Sequence, residues 1–131
     1  GSSALIEEAH EAGAIVVASF HDFEGTPGDE QLAEVLAAMN YAGADVLKFA
    51  CMATSATDAA RVLAAQAWAR EAYDRPVIGI AMGPNGAPTR LVGSALGSAA
   101  TFATLPGWEG SAPGQFTVEQ VRAVLDIVEG G

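Results

Sequence analysis

The sequence predicts an α/β fold with parallel strands, and three observations support this prediction. Apolar residues make up 50% of the 131 positions, so the chain can bury a core. Short apolar runs alternate with longer stretches of helical periodicity, which is the rhythm of βα units. The runs are apolar at successive positions, as is typical of strands in a covered parallel sheet. No internal repeat or low-complexity linker interrupts the pattern, so residues 3–131 are expected to form a single domain.

Four apolar runs favour β-strands, and their bounds are 14–20, 45–51, 76–82 and, more weakly, 98–103. Polar side chains lie near the carboxyl ends of these runs. Ser19 and His21 follow Val17 on one face of the first strand, and Lys48 follows Val46 on the second. Parallel α/β sheets place their reactive groups at the carboxyl ends of the strands. We therefore expect a functional site at that edge.

Helices are predicted between and around these strands. Apolar residues recur every three or four positions over 29–42 and 57–73, so both segments are expected to be crossover helices. An opening helix is predicted over 3–12. A closing helix is predicted over 117–128, with Thr117 as its expected N-cap.

The composition argues against several classes of function. The formal net charge is -10, with six Lys and Arg against sixteen Asp and Glu, so no nucleic-acid or membrane partner is expected. A single cysteine, Cys51, cannot form an intramolecular disulfide, and with two histidines it leaves no usual zinc set. The simplest compartment is the cytoplasm. Gly1 and Ser2 are interpreted as a tag remnant.

The most informative residue is Lys48, the only lysine of the chain. It lies inside the apolar run 45–51, so its side chain is expected to be withdrawn from water. Burial disfavours the charged ammonium, and a neutral amine is the nucleophile that condenses with ketones to an iminium. The alternative is a lysine that extends from a strand end into solvent. Schiff-base chemistry is the leading hypothesis.

A series of motifs connects this chain to one enzyme family. The motifs are Ser19-Phe20-His21-Asp22-Phe23 with Thr26-Pro27, Gly43-Ala44-Asp45-Val46-Leu47-Lys48, Met82-Gly83, Thr89-Arg90, Gly97-Ser98 and Ser111-Ala112-Pro113-Gly114-Gln115. On these residues the chain resembles type I 3-dehydroquinate dehydratase, a lyase, over residues 3–129. The resemblance implies a (βα)8 TIM barrel. This chain would hold strands five to eight, a half-barrel of about four βα units.

The resemblance also implies a role for each matched residue. Lys48 would form an iminium with the C3 ketone of 3-dehydroquinate. His21 would remove a C2 proton and then help to expel the C1 hydroxyl as water. Arg90 would bind the substrate carboxylate through its planar fork of donors. Further substrate contacts would come from Met82, Ser111 and Gln115. The implied reaction is a syn dehydration in the shikimate pathway of aromatic amino acid biosynthesis, and it needs no cofactor.

The same resemblance implies that part of the site lies outside this sequence. A complete barrel of this type needs about 250 residues. In the family, the first half of the barrel carries acidic and arginine residues that bind substrate and a glutamate that orients the histidine. No residue here can be matched to them. Asp22 adjoins His21, but successive strand side chains point to opposite faces.

A half-barrel would expose strand edges and an apolar inner face, which need a cover. The cover could be a second copy in a homodimer or a complementary N-terminal half-barrel chain. A flavodoxin-like rearrangement, with helices on both faces, is a further possibility. The alternative function is a catalytically incomplete half-barrel that serves as a structural or ligand-binding module. Aldolase-like iminium chemistry on small ketones would need only Lys48, whereas Arg90 should demand a carboxylate.

Overall fold

The computed structural model of the protein describes residues 2–92, 103–104, 116–117, 120, 122–123 and 126–127. Helices and strands alternate as the sequence predicts. The helices are α1 (Ser2–Glu11), α2 (Asp29–Tyr41), α3 (Ala56–Ala72) and α4 (Ala87–Val92), the last preceded by a 3-10 turn at Pro84–Gly86. The strands are β1 (Val17–Asp22), β2 (Val46–Met52), β3 (Val77–Met82), β4 (Ala103–Thr104) and β5 (Phe116–Thr117).

The three longer strands form one parallel sheet in the order β1-β2-β3. In its register, Ser19 of β1 lies opposite Lys48 of β2, and Lys48 lies opposite Ile78 of β3. Consecutive strands that are parallel neighbours need crossover connections, which α2 and α3 supply. The predicted parallel α/β arrangement is therefore confirmed. The two-residue strands β4 and β5 pair with each other, also in parallel.

Both crossover helices pack against the same face of this sheet. Leu36 of α2 and Val62 of α3 belong to one buried cluster with Leu47 and Phe49 of β2. Gly79 of β3 faces the same way, because a Cβ at this position would lie 2.9 Å from the Gln66 side chain of α3. The core therefore lies between the sheet and α2 and α3. Within residues 2–92, this arrangement does not match the flavodoxin-like alternative.

Local signals explain where several elements begin and end. Ser55 caps α3, because its hydroxyl accepts a hydrogen bond from the Asp58 N–H at 3.1 Å. Gly43 follows α2 with φ at +93°, a conformation that favours glycine. The Ile6 side chain of α1 lies 3.9 Å from the point where a Cβ of Gly43 would be. The opening helix thus packs against the turn that leads into β2.

Strand β1 begins and ends later than the predicted run 14–20. At its start, the Asp45 carboxylate accepts a hydrogen bond from the Val16 N–H at 2.8 Å, so a side chain holds this segment. At its end, the ladder with β2 continues through His21 opposite Ala50 and Asp22 opposite Cys51. His21 is consequently part of the strand, and its side-chain direction is set by the sheet.

The remaining predictions concern the C-terminal part of the chain. The predicted strand 98–103 lies outside the described residues except for Ala103. Thr117, the predicted N-cap, is in β5, and the described residues 120, 122–123 and 126–127 are helical. The single domain over 3–131 and the tag remnant at 1–2 stay predictions. None of the helices in the described part of the chain is long and apolar enough to cross a membrane.

Candidate active site

One face of the sheet points away from α2 and α3, and we call it the open face. Alternation along each strand assigns its members, which are Val17, Ser19 and His21 of β1, Val46, Lys48, Ala50 and Met52 of β2, and Ile78, Ile80 and Met82 of β3. The β1 members are exposed, whereas Lys48 and Ile78 are half-buried. Lys48 and His21, the two residues predicted to react, therefore lie on the same, less covered face of the sheet.

Lys48 and His21 are diagonal neighbours on the open face. Lys48 lies opposite Ser19, and His21 lies opposite Ala50, so His21 is two residues nearer the carboxyl end of the sheet. Strands are about 4.8 Å apart and rise about 3.3 Å per residue, which places the two Cα atoms roughly 8 Å apart. Long side chains at this diagonal reach a common point. An amine and an imidazole can thus contact one small ligand.

Lys48 is half-buried rather than buried, which corrects the expectation from its apolar surroundings. The adjacent residues Leu47 and Phe49 are fully buried, and they point toward the helices. The apolar character of residues 45–51 thus reflects the burial of Leu47 and Phe49 and not that of Lys48. Lys48 itself faces the other side, where the helices do not cover it.

His21 is exposed, and its ring stacks on that of Phe23 with centroids 5.7 Å apart and planes inclined by 10°. Asp22 does not orient this imidazole. Its carboxylate accepts hydrogen bonds from the N–H groups of Glu24 at 3.0 Å and Gly25 at 3.2 Å. Asp22 therefore shapes the loop after β1, as the alternation of strand side chains predicts.

Arg90 lies in α4, close to the carboxyl end of β3. Its Nη1 donates hydrogen bonds to the carbonyl oxygens of Ala81 at 2.6 Å and Gly83 at 3.2 Å. Burial lowers the pKa of the Arg90 guanidinium, although an arginine in a protein stays charged. The group is thus half-buried and held against the backbone at the end of β3, which differs from a side chain that simply faces solvent.

The turn between β3 and α4 is tightly packed. Gly83 has φ at +84°, and a Cβ there would lie 2.8 Å from the Met52 sulfur. A Cβ at Gly86 would lie 2.0 Å from the carbonyl oxygen of Ala81. Real Cβ atoms do not come that close to backbone, so the turn adopts this path only with glycine at 86. The path determines where α4 begins and hence where Arg90 lies.

Two methionines lie side by side at the carboxyl end of the open face. Met82 was predicted to contact the substrate, and Met52 is its partner in the β2–β3 register. The sequence reasoning missed Met52. The same alternation that relates 48, 50 and 52 could have placed it on the face of Lys48. Ser111 and Gln115 lie outside the described residues, so their contacts with the substrate stay predictions.

Cys51 faces the helices and is fully buried. Burial, with a smaller contribution from the Asp22 carboxylate, raises the pKa of the Cys51 thiol to about 11. A protonated buried thiol is a poor nucleophile, so Cys51 belongs to the core. Among the described residues, no group of three or more His, Cys, Asp and Glu side chains could hold a metal ion.

Comparisons with known proteins agree on one family. A family model described as "Type I 3-dehydroquinase" matches residues 2–131. A 3-dehydroquinate dehydratase of Klebsiella pneumoniae subsp. pneumoniae is 41% identical over 126 residues, which are 95% of this chain and 49% of that protein.

Solved structures give the same result. The 3-dehydroquinate dehydratase of Geobacillus kaustophilus matches with a TM-score of 0.91 and 39% identity, over 98% of this chain and 49% of that one. The type I enzyme of Clostridium difficile, solved with covalently modified comenic acid, matches with a TM-score of 0.87 and 33% identity, over 98% and 50% of the two chains. This chain spans about half the length of these relatives.

Proposed function

Because this chain belongs to the type I 3-dehydroquinate dehydratase family, we propose that it supplies the lysine and the histidine of a Schiff-base dehydratase. The observation that supports this most directly is the register of β1 and β2, in which Lys48 and His21 are diagonal neighbours on the open face. The proposed substrate is 3-dehydroquinate. A role in the shikimate pathway and a cytoplasmic location belong to the same proposal.

The first step joins Lys48 to the substrate. The amine attacks the C3 carbonyl carbon, and the resulting carbinolamine loses water to give an iminium. The positive nitrogen withdraws electrons and makes the C2 hydrogens more acidic. A half-buried amine on the open face suits this step, since a ketone can approach from the side that α2 and α3 do not occupy.

His21 carries out the second step as a base and then as an acid. Its imidazole takes a C2 proton, and the electron pair left on C2 forms the new double bond to C1. The C1 hydroxyl leaves as water with a proton from the imidazolium. Hydrolysis of the iminium then releases 3-dehydroshikimate and returns Lys48 to the free amine. The substrate has lost one water in total, and the protein is unchanged.

Substrate selection is assigned to the groups beyond the sheet. The charged Arg90 at the end of β3 favours a ligand with a carboxylate, which separates this reaction from aldolase-like chemistry on small neutral ketones. Met82 is proposed to pack against the ring, and Ser111 and Gln115 to close over the hydroxyl groups. The Clostridium difficile relative, which holds a covalently modified acid, supports covalent capture of an acidic ligand.

We propose that the open face is completed as a (βα)8 barrel by further chain. Apolar groups are exposed there, and Val17 is 50% accessible. A complementary N-terminal half-barrel is favoured, because the Klebsiella pneumoniae and Geobacillus kaustophilus relatives each contain about as much chain again as this one. It would also bring an acidic group to orient His21. A homodimer of half-barrels is the second arrangement.

Borohydride trapping tests the function. Reduction converts an iminium into a stable amine, so intact mass should increase only when 3-dehydroquinate is present. Lys48 is the only lysine of the chain, which simplifies assignment of the adduct. We expect Lys48→Ala to abolish the mass increase without loss of the fold. Formation of 3-dehydroshikimate, followed in parallel, separates an enzyme from a module that only binds.

A matched control tests whether any lysine amine is sufficient. Arg70 is exposed on α3, so a Lys48→Ala chain that also carries Arg70→Lys has one lysine at an ordinary surface position. This chain should form no ligand-dependent adduct. The proposed function is wrong if the native chain gains no mass alone or together with the N-terminal half of a relative, or if the control chain gains as much.

A further inference from the structure

A side-chain hydrogen bond joins the loop that follows His21 to the end of the strand that carries Lys48. The hydroxyl of Thr26 donates to the carbonyl oxygen of Met52 at 2.9 Å. Thr26 lies five positions after His21, and Met52 lies four positions after Lys48. The bond therefore connects the two segments just beyond the two residues that must cooperate.

This bond lies beyond the end of the β1–β2 ladder. The last paired residues are Asp22 and Cys51, so His21 is one residue from the point where backbone pairing stops. Strand ends open more easily than strand centres because fewer interactions hold them. A hydrogen bond placed after the last pair restrains the end of β1 against β2. It consequently limits the movement of His21 relative to Lys48.

The same loop is also held from its other side. The guanidinium of Arg61 in α3 donates to the carbonyl oxygen of Pro27, which is buried. Arg61 is itself paired with Asp29 at 3.0 Å and with Asp58 at 3.2 Å. These contacts fix the loop against α3, whereas the Thr26 hydroxyl fixes it against β2. Thr26 thus provides the direct side-chain hydrogen bond between this loop and β2, the strand that contains Lys48.

We infer that Thr26 is a positioning residue, whose hydroxyl restrains the end of β1 and so helps to hold the imidazole of His21 within reach of a ligand bound to Lys48. This inference rests on the proposed function. Condensation with a ketone requires Lys48, but elimination requires the imidazole to reach C2 of a ligand already bound to Lys48. A displacement of about 1 Å can cost about 100-fold in such a step. The loss of the Thr26 hydroxyl therefore affects elimination more than adduct formation.

Two substitutions at Thr26 test this division. Thr26→Val keeps the shape and removes the hydroxyl, whereas Thr26→Ser keeps the hydroxyl. In the assembly that turns over 3-dehydroquinate, Thr26→Val should slow elimination by about 10- to 100-fold. The yield of borohydride-trapped adduct should remain within about twofold, since Lys48 is not displaced. Thr26→Ser should restore most of the elimination rate.

Thr54→Val is the matched control. Its hydroxyl donates to the Asp58 carboxylate at 2.7 Å, a bond between residues four apart that does not join two strands. This variant loses an equivalent hydroxyl near the same edge of the sheet. Its adduct yield and its elimination rate should both stay unchanged. The inference would be overturned if Thr26→Val lowered the adduct yield and the elimination rate equally, or lowered neither. It would also be overturned if Thr26→Ser did not restore the elimination rate.

A second measurement does not depend on turnover. Amide hydrogen exchange over residues 20–25 should be faster in Thr26→Val than in the native chain, and unchanged in Thr54→Val. Equal exchange in all three proteins would overturn the inference even in a protein without activity. The native chain could also form no adduct while Thr26→Val still exchanges faster than the native chain over residues 20–25. That result would count against the proposed function and would support the restraint by Thr26.

Discussion

The two faces of the three-stranded sheet differ in what covers them and in what they carry. On the face that packs against α2 and α3, Leu47, Phe49 and Val77 are each 0% exposed. On the open face, Val17 is 50% exposed and His21 is exposed as well. One face therefore holds the strands in place, and the other presents the side chains that we propose to react. Substitutions on the open face should change chemistry at little cost to folding.

Among the substitutions that should leave the covalent adduct intact, His21→Ala has the largest expected effect. General acid and base catalysis contributes about 10²- to 10⁴-fold, so elimination should fall by that factor. The fold should persist because the side chain is exposed, and the borohydride-trapped adduct should still form. His10→Ala, which removes the other histidine, is the control and should keep the native rate. Loss of the adduct in His21→Ala would show that the imidazole is already needed for condensation.

A pair of substitutions compares the two faces directly. Phe49→Ala removes a fully buried ring and should lower the free energy of unfolding by about 3 to 5 kcal/mol. Ile78→Ala changes a half-buried residue of the open face and should cost about 1 kcal/mol, since less apolar surface is lost. Urea denaturation of both variants gives the difference. Equal costs would indicate that the open face is covered in solution.

The helices could be predicted well because periodicity is a local signal. The helix predicted over 29–42 is α2 at Asp29–Tyr41, and the one predicted over 57–73 is α3 at Ala56–Ala72. The start of β1 could not be predicted, since a carboxylate from a distant loop holds the Val16 N–H. Such long-range hydrogen bonds leave no trace in the composition of the strand.

Only those features of the candidate site that follow from the alternation of side chains along a strand could be predicted from the sequence. Strand alternation predicts that His21 and Asp22 point apart and that Lys48 follows Val46. It does not distinguish a buried face from an open one, so the burial of Lys48 was overestimated. Thr26 was quoted only as part of a motif, because its contact with Met52 spans 26 residues of sequence. The sheet register was needed to recognise what that contact joins.

The smallest expected effect concerns Asp45, which lies just before the start of β2, at the amino end of the sheet and away from the proposed site. The Val16 N–H, and then the neighbouring His10, lower the pKa of the Asp45 carboxyl. A lowered pKa in the folded protein contributes stability above the unfolded value, near 3.9, and this stability is lost as the pH falls through the folded pKa. Asp45→Asn should therefore slightly lower the melting temperature at neutral pH.

The difference between Asp45→Asn and the native chain should shrink as the pH falls below about 4. Asp74→Asn, which removes the same charge from an exposed loop position, is the control for net charge. Thermal melting of the three proteins at several pH values provides the comparison. A difference that persists unchanged in acid would mean that the carboxylate charge does not stabilise this end of the sheet.

The close packing of Gly86 against the Ala81 carbonyl limits how this segment can diverge in evolution. Any residue with a side chain at 86 would push the start of α4 away from β3 and would carry Arg90 with it. The exposed Pro84, at the tip of the same turn, has no such restriction. Mutations can therefore accumulate at the tip while the base of the turn is inherited unchanged. The spacing from Met82 to Arg90 is thus expected to survive longer than the identity of the residues between them.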